Sequence, residues 1–119
     1  MAANVTTMQG RTLHIVLFGD VDWAWNSTTE IASVPQLSQL SALGRIFIDS
    51  ITFRPSATAD KVTIRECSLT GPTIFHRISA DVYDYEPKYF GGKSFEGLFI
   101  AAADTTSNDN TAYVEIILA

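Results

Sequence analysis

The chain has 119 residues, 46% of them hydrophobic and 18% charged. That balance excludes a disordered acidic chain and sets a single domain over residues 1–119 with room for a substantial core. Eight basic against thirteen acidic side chains leave a net charge of −5, which repels phosphate and argues against nucleic-acid binding.

Residues 1–10 read as an extended N-terminal arm. Arg11 to Phe18 follows as a strand. Its apolar residues run too continuously for one clean face, but its length and the Gly19-Asp20 stop favour strand over helix. Val21 to Trp25 alternates Val21, Trp23 and Trp25 against Asp22 and Ala24, a strand with one aromatic face. Residues 26–43 are serine- and threonine-rich and read as a long surface loop. Leu37, Leu40 and Leu43, three apart, allow one short helical turn after Pro35. Arg45 to Arg54 alternates, with a phase slip at Asp49-Ser50 that predicts a β-bulge.

Two turns, at Pro55–Asp60 and Ser68–Pro72, flank the alternating strand Lys61 to Cys67. Short strands are expected at Thr73 to Ile78 and Asp81 to Tyr85. A flexible loop is expected at Gly91-Gly92, a strand over Phe95 to Ala101, and a polar turn at Asp104 to Asn110. Tyr113 to Leu118 closes with Val114, Ile116 and Leu118 on one face and Tyr113, Glu115 and Ile117 on the other. About eight short strands with little helical signal indicate an all-β fold: an antiparallel β-sandwich, best matched in strand number by the jelly roll.

No apolar run approaches the roughly 18 residues that span a membrane, and no signal peptide is visible. Cys67 is the single cysteine, so neither a disulfide framework nor a CxxC site is expected. His14 and His76 each lie inside a strand and lack ligand-spaced partners, so no metal and no cofactor is predicted. Cys67 has no hydrolase motif around it and reads as a small apolar residue. The acids Asp20, Asp22, Asp81, Asp84 and Glu86 fall on turns or at the strand ends beside them, where they serve solvation and local capping. Asp104, Asn108, Asp109 and Asn110 do not have the spacing of an EF-hand. The expectation is therefore a protein that is not an enzyme.

The aromatic residues say more. Trp23, Trp25, Tyr83 and Tyr85 would stack on sugar rings if exposed. Trp23, Trp25, Phe99, Tyr113 and Ile117 would anchor an oligomer or partner interface. Core burial of the two tryptophans is the other reading.

Ile51-Thr52-Phe53-Arg54-Pro55-Ser56-Ala57, followed by Asp60 to Glu66, resembles a strand, turn and strand in small virion proteins of tailed bacteriophages. The resemblance continues through Thr70 to Phe75, Lys88-Tyr89-Phe90 with Gly92-Lys93, and the terminal strand Ala112 to Leu118. It covers roughly the last two-thirds of the chain and leaves the first forty residues unmatched. It implies a jelly-roll capsid cement or decoration protein: a structural protein, often trimeric, with no catalytic residues. The expectations that follow are a homotrimer partnered with the major capsid protein, located on the outer surface of the virion after synthesis in the host cytoplasm. A carbohydrate- or receptor-binding β-sandwich module is the alternative.

Overall fold

A computed structural model describes residues 4–17, 21–55, 59–79, 85–102, 105 and 113–119. Its strands are β1 (Val5–Gln9), β2 (Thr12–Val16), β3 (Trp23–Ala24), β4 (Ile46–Arg54), β5 (Lys61–Glu66), β6 (Thr73–Ile78), β7 (Lys88–Phe95), β8 (Leu98–Ile100) and β9 (Tyr113–Leu118). Two short helices, α1 (Thr28–Ser33) and α2 (Gln36–Leu43), lie between β3 and β4. The strands form a five-stranded sheet in the order β1-β2-β9-β4-β7 and a four-stranded sheet in the order β3-β8-β5-β6. Every pairing between them is antiparallel. The fold is the expected antiparallel β-sandwich.

Period-2 alternation builds the core. In β9, Val114, Ile116 and Leu118 are buried, while Tyr113, Glu115 and Ile117 face away, as the sequence pattern requires. Leu13 and Ile15 of β2, Ile51 and Phe53 of β4, and Val62 and Ile64 of β5 meet them between the sheets. Each such side chain contributes about 1.5–3 kcal/mol through burial.

Edge strands expose unpaired backbone groups and must be managed. At β7 the edge carries Lys88 and Lys93, and the Lys88 ammonium donates to the Ile74 carbonyl of β6 at 3.2 Å, tying the two sheets at that side. At the other side α1 lies against β1, where Thr6 is only 4% exposed. The local sequence explains the helix. Ser27 is its N-cap and accepts from the Glu30 backbone N–H, and Glu30 turns inward.

Several elements differ from the sequence reading. Val5–Gln9 of the expected arm pairs in register with β2 and adds a strand. Residues 26–43 hold two helices rather than a long loop with one turn, because the Ser27 cap starts α1 and Gly44 ends α2 by donating to Leu40 and Ser41. Only Leu37 of the leucine face is fully buried, and Leu43 is exposed. The Val21–Trp25 strand shrinks to Trp23–Ala24. Gly91-Gly92 lies within β7 and is not a loop; both residues take positive φ (63° and 84°) inside an irregularity of the ladder. The expected Phe95–Ala101 strand breaks at Glu96-Gly97 into the end of β7 and β8. The bulge at Asp49-Ser50 is present, seen as a register shift between Ile48 and Ser50 against both neighbours of β4. Residues 1–3, 18–20, 56–58, 80–84, 103–104 and 106–112 lie outside the described residues, and with them the Gly19-Asp20 stop, all but Tyr85 of the expected Asp81–Tyr85 strand, Tyr83, and all but Thr105 of the polar turn.

Candidate functional site

The five-stranded sheet turns one face to the core and the other outward. Strand register fixes the rows of the outer face. Tyr89, Ser50, Ile117, Thr12 and Gln9 lie in one row across β7, β4, β9, β2 and β1. Thr52, Glu115, His14 and Thr7 form the next. Arg54, Tyr113, Val16 and Val5 form the third.

The third row carries a charged aromatic cluster. The Arg54 guanidinium lies 4.9 Å from the Tyr85 ring centroid and 5.9 Å from that of Tyr113. Its Nε and Nη2 donate to the two carboxylate oxygens of Glu115 at 3.0 and 3.4 Å. The hydrogen bond with Glu115 raises the Arg54 pKa above the ordinary arginine value, with burial opposing it. Arg54 thus stays cationic across the neutral range. His14 Nδ1 sits 3.8 Å from Glu115, and its ring tilts toward Tyr113.

The first row forms a cleft by a large-small-large pattern. Ser50, on the middle strand, is flanked by Tyr89 on one side and Ile117 on the other. Neighbouring side chains in such a row stand about 5 Å apart, so the small serine forms a floor between two walls. The bulge in β4 brings Asp49 to the same place, and the glycines of β7 leave the opposite rim bare. The resulting cleft has a volume of about 330 Å³ and is lined by Asp49, Ser50, Tyr89, Gly91 and Ile117. A second recess, lined by Asn4, Val21, Asp22, Ser27, Thr29 and Glu30, lies beside α1.

Three of the interface and stacking residues expected from sequence reach this outer face: Tyr113 and Ile117 on β9, and Tyr85 over Arg54. Trp23 and Trp25 do not. They are 0% and 4% exposed and belong to the core, so neither can stack on a sugar or anchor an interface. Trp23 faces inward because it pairs with Ile100 of β8, a core residue. Phe99 lies on the outer side of the four-stranded sheet, opposite Ala24 and Arg65. It therefore cannot share one contact surface with Ile117.

The histidines are also separated. His14 is on the five-stranded sheet, and His76 on β6 pairs its Nδ1 with the Thr63 hydroxyl at 2.8 Å. Among the described residues no group of three or more histidine, cysteine or acidic side chains comes together. Cys67 is exposed, not buried as a small apolar residue, and its backbone is left-handed with φ 71°. Cys67→Ser is expected to change stability by less than about 0.5 kcal/mol. Cys67→Gly is expected to raise it by about 0.5–1 kcal/mol, read as the thermal midpoint, because glycine adopts that conformation without strain.

Asp49, Ser50, Arg54, Glu115 and Tyr89 were not singled out by sequence as a site. The bulge signal at Asp49-Ser50 was readable, but its partners on β7 and β9 are fixed by long-range register. Comparison with known proteins finds no matching family model, no similar curated protein and no similar solved structure.

Proposed function

We propose that the protein is a non-enzymatic structural component of a bacteriophage virion, which decorates and stabilises the capsid by bridging subunits of the major capsid protein. In this reading the outer face of the five-stranded sheet meets the shell. One observation carries it. Five of the nine large apolar and aromatic side chains exposed among the described residues, Val5, Phe47, Tyr85, Tyr89 and Ile117, lie on that single face, while Val21, Leu43, Leu69 and Ile78 are scattered elsewhere. Exposed apolar surface concentrated on one face is characteristic of an interaction site.

The strand order adds support. With β1 set aside, β2-β9-β4-β7 faces β3-β8-β5-β6, an order we read as a jelly roll, an architecture used by viral capsid domains and also by lectins. The resemblance of the Ile51–Glu66 segment to small phage virion proteins points the same way, and from it we further propose a homotrimer on the outer surface of the capsid. Attachment at several subunits gives tight binding from modest individual contacts. No nucleic acid, membrane or cofactor enters this proposal. No helix among the described residues is long and apolar enough to cross a membrane.

A carbohydrate-binding role has less behind it. Both tryptophans are buried, and one face of Tyr85 is taken by the Arg54 guanidinium.

The test is co-sedimentation with assembled shells of the phage that encodes the protein. Ile117→Glu is expected to weaken shell binding about tenfold or more while leaving the thermal midpoint nearly unchanged, since the side chain faces outward. Phe99→Glu, on the opposite sheet, is expected to leave it intact. Failure of the wild-type protein to bind shells, or its release by simple sugars, would overturn the reading.

A further inference from the structure

The outer face of the five-stranded sheet holds two pairings of tyrosine with carboxylate, and the chain supplies a cation to only one. At the first, Arg54 lies against Tyr85 and Tyr113 and bonds Glu115 through two nitrogens. At the second, Tyr89 is 77% exposed and Asp49 stands beside it on the bulge. Neither the Asp49 carboxylate nor the Ser50 hydroxyl has a hydrogen-bond or ion-pair partner among the described residues, although Ser50 is only 5% exposed at the floor of the cleft. The Ser50 hydroxyl is not sealed from solvent; it opens into the cleft, where a ligand could reach it together with Asp49.

We propose that this cleft receives an arginine side chain of the shell protein, with its guanidinium on the Tyr89 ring and paired to Asp49. The proposal rests on the capsid-docking reading above and names the chemistry of that contact. A planar guanidinium suits an aromatic face and a carboxylate together better than a compact ammonium does. Ser50 offers an acceptor for a further N–H. Ile117 forms an apolar wall for the methylene stem, the part of arginine that packs on apolar surface. The net charge of −5 favours a cationic partner. The arrangement repeats, with the cation coming from outside, the one that the chain builds for itself around Arg54.

The experiment has two arms. In the first, N-acetyl-arginine methylamide is titrated into the full chain and followed by amide chemical shifts, with the citrulline analogue and methyl glucoside as probes of the same size class. Saturable shifts at Asp49, Ser50, Gly91 and Ile117 with the arginine probe are expected, with a dissociation constant on the order of millimolar for so small a ligand. The citrulline analogue should give at least about fivefold weaker binding, and Asp49→Asn should weaken the arginine probe by a similar factor. Equal response to citrulline, response to the glucoside alone, or unchanged arginine affinity in Asp49→Asn would overturn the proposal. Tyr89→Ala, at a side chain with no packing role in the core, serves as the second variant should Asp49→Asn disturb the bulge.

In the second arm, the same variants are sedimented with shells. If the wild-type protein binds shells and both variants bind equally well, the arginine contact is wrong and the decoration reading survives. If the cleft takes the arginine probe but the wild-type protein ignores shells, the decoration reading falls and with it the shell protein as the source of the arginine.

Discussion

Gly97→Ala is expected to destabilise the fold by about 3–5 kcal/mol. Two causes add. Gly97 has φ +126°, a region that side-chain-bearing residues rarely enter. A Cβ built there would also fall on the Trp25 indole, against Nε1, Cε2 and Cζ2. Trp25 has little room to withdraw, since it is 4% exposed and its backbone N–H is held by the Leu98 carbonyl at 3.2 Å. At about 4 °C per kcal/mol for a domain of this size, the thermal midpoint should drop by about 12–20 °C. Trp25→Phe in the Gly97→Ala background separates the causes. The smaller ring should recover the clash, a coupling of about 1–3 kcal/mol, and leave the backbone strain. An unchanged midpoint in the single variant would show that the close approach of Trp25 is not fixed.

Glu30→Ala is expected to cost about 2–3 kcal/mol, measured by urea unfolding followed at tryptophan emission. The reason is a buried chain of hydrogen bonds. Trp23 Nε1 donates to the Thr6 hydroxyl at 2.9 Å, and that hydroxyl donates to Glu30 Oε1 at 2.7 Å. The Ser27 hydroxyl donates to Glu30 Oε2 at 3.2 Å and accepts from the Glu30 backbone N–H at the same distance. This one carboxylate, 5% exposed, therefore joins α1, β1 and β3. Removing it leaves the buried Thr6 hydroxyl without its acceptor, while the half-buried Ser27 hydroxyl, on the rim of the recess beside α1, can turn to water. Glu30→Gln keeps the shape and one acceptor, and should lose only about 1 kcal/mol. Equal losses for the two variants would show that shape and one retained acceptor count for nothing, and would assign the effect to the charged carboxylate alone.

What could be read from sequence was local. The alternation of Tyr113 to Leu118 gave both faces of β9, and the slip at Asp49-Ser50 gave the bulge, because each depends on neighbours within a few residues. The helix α1 was missed although Ser27 and Glu30 stand at the capping-box spacing; the density of serine and threonine hid it in a loop-like composition. Gly91 and Gly92 read as a break, whereas the ladder of β4 carries them through as an irregularity. Trp23 and Trp25 were ambiguous because alternation shows that residues share a face and not which face is buried. The cleft was unreadable for a related reason. Its walls come from β7 and β9 and its floor from β4, and no local pattern encodes that Ser50 faces both Tyr89 and Ile117.

The position of β9 between β2 and β4 bears on how fast this protein reaches its native state. Leu13 pairs with Ile116, more than a hundred positions apart in sequence, so the middle of the five-stranded sheet is assembled from opposite regions of the chain. Closing such a loop before any contact rewards it slows folding, and domains ruled by non-local strand pairing fold in about milliseconds to seconds, against microseconds for helical bundles. During synthesis the β1–β2 hairpin must wait with one apolar edge open until residues 113–118 emerge. In that interval it can pair with another nascent chain. A polypeptide cut before Tyr113 would lose the centre of a sheet and not its margin, and it should aggregate where the full chain folds.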